Sequence, residues 1–183
     1  QGMVIPRANH TMTQMLDGKL LIAGGFSGTS PHDEAETYDP ATRAFVMVQR
    51  MLNHRSNHRA LLLNDGRVLV IGGVTLESGF LAVNETYDPV AKIWSIYDPP
   101  LLEDRAGHTA TGLPHGTILV AGGVTRNPPL TTAQLLDPVT HNFTTLGHLI
   151  SGPHPPTPSP LPARHPPPPA GPPPSRPSPA AAP

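Results

Sequence analysis

The chain has 183 residues, a net charge of −1 with histidine neutral, and no cysteine. This length allows a sizeable core, the near-zero charge excludes an extended basic surface for nucleic acid, and the lack of cysteine excludes disulfides and thiol chemistry. No apolar run is long enough to span a membrane and no secretory signal is visible, which leaves the localisation open.

The first feature along the chain is a segment that occurs three times, at residues 7–26, 55–74 and 105–124. The copies align without a gap and begin 48 and 50 residues apart. A repeat of this length is typical of arrays of small sheets that bury their faces against one another. The shared positions include an arginine, a histidine and a closing glycine pair: Arg7, Arg55 and Arg105; His10, His58 and His108; Gly24-Gly25, Gly72-Gly73 and Gly122-Gly123.

Each copy predicts two strands joined by a tight turn. The turns are Asp17-Gly18, Asp65-Gly66 and His115-Gly116, and an Asp-Gly pair favours a two-residue type I′ hairpin. The strand after the turn is a continuous apolar run, which indicates burial on both faces. It ends in the glycine pair, where we expect an added side chain to collide with close-packed neighbouring backbone.

A third and a fourth strand complete each unit. The third covers residues 35–38, 84–87 and 133–136 and ends in Asp-Pro, which favours a type I turn. An aromatic residue five positions after the proline opens the fourth strand, where a large ring buries about 150–250 Å² against the neighbouring unit. The aromatic residues with structural roles are Tyr38, Tyr87, Phe45, Trp94 and Phe143.

This order of elements resembles the kelch repeat, although His115 and Leu136 depart from its pattern in the third copy. The resemblance implies an all-β fold for residues 1–152: a partial β-propeller of three four-stranded antiparallel blades, at about residues 7–54, 55–104 and 105–152. Kelch propellers usually have six or seven blades. We therefore expect the chain to be part of a larger propeller.

Residues 153–183 form a Pro-rich, low-complexity tail with 16 of the 26 prolines and only Leu161 as a large apolar side chain. Such a segment cannot bury enough surface to offset the entropy of ordering it, so the sequence predicts disorder. Two interpretations are open. The tail is a polyproline linker or ligand, or it has no selected role and reflects out-of-frame coding sequence.

Strand alternation predicts where a partner binds. The turns between strands 1 and 2 and between strands 3 and 4 share one end of the blades, and the longer 2–3 and 4–1 connections share the other. These longer connections differ between copies, and variable loops on a rigid scaffold are the usual place for recognition. The candidate binding residues are Arg55, Arg105, Arg126, His32, Asp33, Glu77 and Phe80. For Arg55 and Arg105 a structural ion pair is an equally good interpretation.

The repeated histidines do not predict a metal site. Equivalent positions on neighbouring sheets lie about 10 Å apart, whereas zinc ligands must all lie about 2 Å from one ion. We expect each histidine to form a hydrogen bond within its own blade. Glu36 and Glu85 occupy equivalent positions, and we interpret them as in-blade partners of arginine rather than as a catalytic pair.

Two classes of function remain. The kelch resemblance implies a module that binds another protein, without a cofactor and without catalysis. The alternative is a non-catalytic part of a galactose-oxidase-like or carbohydrate-active propeller enzyme, because the Arg-x-x-His to Gly-Gly run also resembles that of galactose oxidase. Galactose oxidase makes its cofactor by cross-linking a tyrosine to a cysteine, and this chain has no cysteine.

Three blades alone leave the outer faces of the first and third blades uncovered. Soluble monomers tolerate only about a few hundred Å² of contiguous exposed apolar surface. We therefore expect the isolated chain to aggregate, to remain partly molten, or to pair with a second copy into a six-blade ring. The position of the Pro-rich tail near the closing seam favours the first two outcomes.

Overall fold

The computed structural model describes residues 2–28, 30–126 and 129–149. The first repeat unit contains β1 (Thr11–Gln14) and β2 (Leu20–Ala23), the short strands β3 (Phe26–Ser27) and β4 (Ser30–Pro31), and then β5 (Ala35–Asp39) and β6 (Ala44–Met47). The second comprises β7 (Arg59–Leu62), β8 (Val68–Ile71), the short strands β9 (Val74–Thr75) and β10 (Gly79–Phe80), β11 (Asn84–Asp88) and β12 (Ile93–Tyr97). The third comprises β13 (Thr109–Gly112), β14 (Ile118–Ala121), β15 (Thr132–Asp137) and β16 (Asn142–His148).

The sheets are three antiparallel four-stranded blades with the same strand order. They run β1-β2-β5-β6, β7-β8-β11-β12 and β13-β14-β15-β16, while β3–β4 and β9–β10 form small separate hairpins within the 2–3 connections. The predicted all-β blade architecture is confirmed. No helix that could cross a membrane occurs in the part of the chain that the structure describes. The Pro-rich segment 153–183, for which disorder is predicted, lies outside the described residues.

The hydrophobic cores lie between the blades. One joins blade 1 to blade 2 and includes Met15, Leu21 and Met51 from the first and Tyr87 and Trp94 from the second. A second core joins blades 2 and 3 in the same way. The middle strands β2 and β8 are buried almost throughout, as their continuous apolar runs predict.

The turns between strands 1 and 2 differ from the predicted type I′ hairpin. In the first turn, the Gly18 N–H donates to the Met15 carbonyl over 3.0 Å and the Met15 N–H donates to the Lys19 carbonyl over 2.8 Å. Gly18 has a φ of +81°, and Asp17 is not among the residues with positive φ. A type I′ turn needs positive φ at both central residues. The loop is therefore one residue longer, and glycine alone takes the left-handed position.

The glycine pairs lie where neighbouring backbone leaves no room for a side chain. A Cβ added to Gly24 would lie 2.6 Å from the Arg55 carbonyl oxygen of the next blade, and one added to Gly25 would lie 2.8 Å from the Ala8 oxygen of its own blade. Gly72 has the same relation to Arg105. The predicted collision with neighbouring backbone is confirmed, and the glycine pair is part of the interface between blades.

Candidate functional site

The arginine that opens each repeat lies inside its blade. The Arg55 guanidinium donates to the carbonyls of Gly72 (2.7 Å) and Val83 (3.0 Å) and to Glu85 Oε1 (2.5 Å), and neither charged side chain is exposed to solvent. Burial lowers the pKa of Arg55, and the charge of Glu85 opposes that effect. Arg7 and Glu36 form the equivalent ion pair at 3.0 Å. The interpretation of both glutamates as in-blade partners is confirmed.

Arg105 pairs with an acid at a different position, because Gln134 stands where the other blades have the glutamate. Its guanidinium donates to the Gly122 carbonyl at 3.0 Å, to Glu103 Oε2 at 3.1 Å and to Thr132 Oγ1 at 3.1 Å. Both Arg55 and Arg105 are fully buried. Of the two interpretations left open for these arginines, the structure shows the ion pair inside the blade, with Glu85 for Arg55 and with Glu103 for Arg105.

The side chains at positions 85 and 134 also accept hydrogen bonds from the connections that lead into the first strands. Glu85 accepts the backbone N–H groups of Leu52 (2.7 Å) and Asn53 (3.0 Å). Gln134 accepts the Leu102 N–H at 3.2 Å in the third blade. Because buried polar groups need partners, these bonds fix the 4–1 connections to the sheets. The end of the blades formed by the 2–3 and 4–1 connections, here called the loop face, is thus supported from within.

Of the three repeated histidines, His58 forms a hydrogen bond across blades rather than within its own. His58 Nε2 lies 2.9 Å from the Thr11 hydroxyl of the preceding blade, which corrects the expectation of a partner in its own blade. Burial lowers the pKa of His58 well below its ordinary value, and the charge of Arg55 lowers it further. Arg59 occupies the position of Thr11 in blade 2, and neither ring nitrogen of His108 has a hydrogen-bond partner among the described residues. Burial, followed by the charges of Arg105 and Arg59, lowers the pKa of His108 to about 3. Among the described residues no group of three His, Cys, Asp or Glu side chains could hold a metal ion.

A charged network occupies the loop face beside blade 1. Arg50 Nη1 lies 3.1 Å from both Asp33 Oδ1 and Glu34 Oε1, and His54 Nε2 lies 3.7 Å from Asp33 Oδ2. His32 connects to the same set through Glu34, at 3.1 Å. Burial raises the pKa of Glu34, but a backbone hydrogen bond and the charges of Arg50 and His32 outweigh it, so that the pKa lies below its ordinary value. These five residues are called the charged network below.

The other candidate residues lie further along the same face. Glu77 is exposed and accepts a hydrogen bond from Thr75, which lowers its pKa. Phe80 is half-buried in β10. Arg126 is exposed and donates to the Ser78 carbonyl at 3.2 Å, which joins the 2–3 connections of blades 2 and 3. The structure therefore brings His32 and Asp33 together in one network and leaves the remaining three along the neighbouring loops.

Clefts occur at both ends of the blades. A cavity of about 270 Å³ lies on the loop face between Asn53, His54, Thr75 and Glu77. Larger cavities, of about 370 and 440 Å³, lie beside the turns at the opposite end, here called the turn face, where Asp17 contributes to both. Volume alone therefore points away from the charged network. The turn-face clefts, however, are lined largely by the turns that repeat in every blade, whereas the charged network lies in connections that differ between blades.

Sequence reasoning missed Arg50, Glu34 and His54 as candidate residues. All three lie in or beside connections recognised as variable, but nothing in their spacing shows that they meet. Arg50 and Asp33 are 17 positions apart and converge only because the 4–1 connection crosses the end of the 2–3 connection. The signal available in the sequence was the clustering of charge within these two connections.

Comparisons with known proteins agree with this architecture. A family profile described as the kelch motif matches residues 6–52. The tRNA wybutosine-synthesizing protein 4 of Saccharomyces cerevisiae is 34% identical over 86 residues, which are 45% of this chain and 12% of the yeast protein. The solved structure of YjhT superimposes with a TM-score of 0.71 at 18% identity, covering 80% of this chain and 53% of that one. The chain thus spans about an eighth and about half of these two proteins.

Proposed function

Because the chain is a kelch-repeat protein built of β-propeller blades, we propose that it is a non-catalytic module that binds another protein through its loop face. The contact centres on the charged network and extends over Glu77, Phe80 and Arg126. The partner presents charges of both signs that complement this mixed surface. The blades act as a rigid frame that holds the connections in place.

The observation that carries this proposal is that some charged residues are buried in ion pairs inside the blades whereas others are exposed in the variable connections. Arg55 and Glu85 are buried and paired, and they occupy positions that recur along the chain. Arg50 belongs to a connection that differs between blades, and its side chain is 63% exposed although it pairs with Asp33 and Glu34. Exposed ion pairs add little stability, about 0–1 kcal/mol. The Asp33 and Glu34 side chains are only 18% and 16% exposed, so the groups that the network offers to solvent are Arg50 and His54. The exposure of these two side chains in a variable connection favours recognition over a structural role.

A protein partner fits this surface better than a small substrate does. The loop-face cavity of about 270 Å³ is at or below the lower end of the range of ligand pockets, roughly 300–1,000 Å³. The charged residues spread along connections from all three blades instead of converging on one point. Rim charges of this kind steer encounter and set specificity in protein interfaces.

The experiment compares two arginines that are matched in chemistry. Arg50→Ala removes the centre of the charged network, and Arg67→Ala removes an exposed arginine paired with Asp65 on the turn face. The full chain and both variants are immobilised separately and exposed to the same lysate. The amount of each captured protein is then compared among the three. We expect a partner that the full chain and Arg67→Ala retain equally and that Arg50→Ala retains at least tenfold less.

Direct titration with the purified partner then checks the difference in affinity. Unfolding curves of the two variants serve as the control, because loss of either surface pair is expected to change stability by less than about 1 kcal/mol. Equal capture by all three proteins would remove the charged network from the interface. Loss of capture by Arg67→Ala alone would move the binding site to the turn face, and saturable binding of a saccharide at the loop face would favour the enzyme-like alternative.

A further inference from the structure

The two interfaces between blades are built by the same contacts. The Gly25 N–H donates to the Arg55 carbonyl at 2.9 Å, and the Gly73 N–H donates to the Arg105 carbonyl at 2.8 Å. In each case the first glycine of the pair leaves room for the histidine of the next blade. An interface that occurs twice with the same geometry is a template for a third. Each blade therefore carries a glycine-pair face and an arginine–histidine face.

The glycine-pair face of blade 3 is uncovered by any described residue of another blade. A Cβ added to Gly122 would come no closer than 3.7 Å, to Leu149 Cδ1, whereas one added to Gly72 would lie 2.6 Å from the Arg105 oxygen. Gly122 retains the same left-handed φ, +65°, as Gly72 at +58°. The third blade therefore has the shape of a receptor for another arginine–histidine strand.

Apolar side chains around this receptor are exposed where their equivalents are buried. Leu113 is 36% exposed, although Leu63 at the same turn position is 6% exposed. Leu149 is 40% exposed, and Leu101, which makes the equivalent backbone hydrogen bond in blade 2, is 4% exposed. Burial of these side chains against another blade would stabilise the interface, because it removes apolar surface from water.

The opposite face of blade 1 has the complementary set. Tyr38 and Phe45 are half-buried, whereas the equivalent Tyr87 and Trp94 of blade 2 are buried against blade 1. His10 is half-buried, whereas the equivalent His58 and His108 are buried. This face is the one that would enter a glycine-pair receptor.

One side-chain pair makes the match specific. Thr109 pairs with Ala121 in the sheet as Thr11 pairs with Ala23, so that the two threonines occupy equivalent positions. Thr11 bonds to the histidine of the following blade, and Thr109 is exposed with no following blade among the described residues. Blade 2 has Arg59 at this position. The threonine therefore occurs in blade 1 and in blade 3, and the threonine of blade 3 is the one that would meet His10.

We propose that two copies of the chain join head to tail, with blade 1 of each copy on blade 3 of the other. The matched faces therefore favour the pairing that the position of the Pro-rich tail, taken from the sequence alone, disfavours. The two seams are identical by two-fold symmetry and close a ring of six blades. Each seam places the Arg7 carbonyl and His10 of one copy on Gly122 and Gly123 of the other, with Thr109 bonded to His10. A heterologous contact that closes gives a finite ring, whereas one that does not close gives filaments.

Sedimentation of the full chain at micromolar concentration tests the assembly. The expected mass is twice the chain mass of 19.4 kDa. Leu149→Glu places a charge in the centre of the seam and should halve the measured mass, whereas Val139→Glu, at a fully exposed turn position of the same blade, should leave it unchanged. A monomer at these concentrations, or aggregates that Leu149→Glu does not dissolve, would overturn the proposal.

Chemical cross-linking tests the register without relying on a destabilising charge. The chain has no cysteine, so Thr109→Cys and His10→Cys each introduce a single thiol. A mixture of the two variants treated with a short bis-maleimide should give a cross-linked pair, and each variant alone should give less than a tenth as much. A mixture of Val139→Cys and Val90→Cys, two exposed turn positions, is the matched control. Equal cross-linking in the control mixture would show that the contact has no register.

Discussion

Thr11 and His58 join the first strands of two successive blades, with 2.9 Å between Oγ1 and Nε2. The bond lies directly beside Gly24, where an added Cβ would meet the His58 ring at 2.8 Å. The histidine, the threonine and the glycine therefore form one contact between blades. This interface has two requirements: the glycine leaves space for the histidine ring, and the threonine bonds to the ring nitrogen.

We predict that acid weakens the fold through the buried histidines. The pKa values of His58 and His108 are lowered in the folded state, to about 3 for His108, from an ordinary value of 6.5. The unfolded chain therefore binds more protons than the folded chain below pH 6.5, so the stability that is fully present above that pH is lost as the pH falls towards 3. Each histidine contributes up to about 1.4 kcal/mol per pH unit in this window.

Urea unfolding between pH 7.5 and 4 measures this slope. His108→Gln removes one titrating group and should make the slope shallower, whereas His115→Gln, at an exposed turn, should not change it. A slope identical in the chain and in His108→Gln would show that His108 is not buried in its neutral form.

We predict that the acid at position 85 is needed both for charge and for hydrogen bonding. Glu85→Ala leaves Arg55 buried without its counter-ion and should lower the free energy of unfolding by about 3–5 kcal/mol. Glu85→Gln should cost less, because an amide oxygen can still accept the Leu52 N–H, as Gln134 does for Leu102. Chemical denaturation gives the free energy of unfolding of the chain and of both variants. Equal losses in the two variants would assign the whole effect to the missing charge.

We predict that Gly72→Ala is more destabilising than Gly28→Ala. Both glycines have similar left-handed φ values, +58° and +63°, so the backbone strain is shared. Only Gly72 has a neighbouring carbonyl oxygen 2.6 Å from the added Cβ, and nothing lies within 4 Å at Gly28. We expect Gly28→Ala to cost about 1–2 kcal/mol and Gly72→Ala clearly more. Equal midpoints of thermal unfolding would mean that blade 3 can move away without loss.

We predict that Trp94 reports on the interface between blades 1 and 2. It is the only tryptophan of the chain, and it is buried with its indole N–H donating to the Gln49 carbonyl at 2.8 Å. Its emission should shift to longer wavelength when the two blades separate. Trp94→Phe should lower stability by about 0.5–1.5 kcal/mol for the lost hydrogen bond to Gln49, and further because the smaller ring fills less of the interface. An emission maximum that stays unchanged on full unfolding would contradict the burial of the ring.

The local requirements of the fold can be predicted from the sequence because each depends on residues close together in the chain. Alternation of turns and apolar runs indicates the strands, and the triple register indicates that they form three equivalent blades. The type of the first turn is not predicted correctly. Asp-Gly is compatible with a two-residue and with a three-residue loop, and the hydrogen bond from Met15 to Lys19 decides between them.

The sequence by itself determined the threefold repeat, the β architecture and the glycine pairs, because a regular repeat imposes the same backbone at each copy. Only the tertiary structure decided which charges are available. Arg55 and Arg50 lie five positions apart, yet one is buried against Glu85 and the other is exposed in the charged network. Burial of a side chain depends on strands from distant parts of the chain and on the neighbouring blade, and no local pattern carries that information.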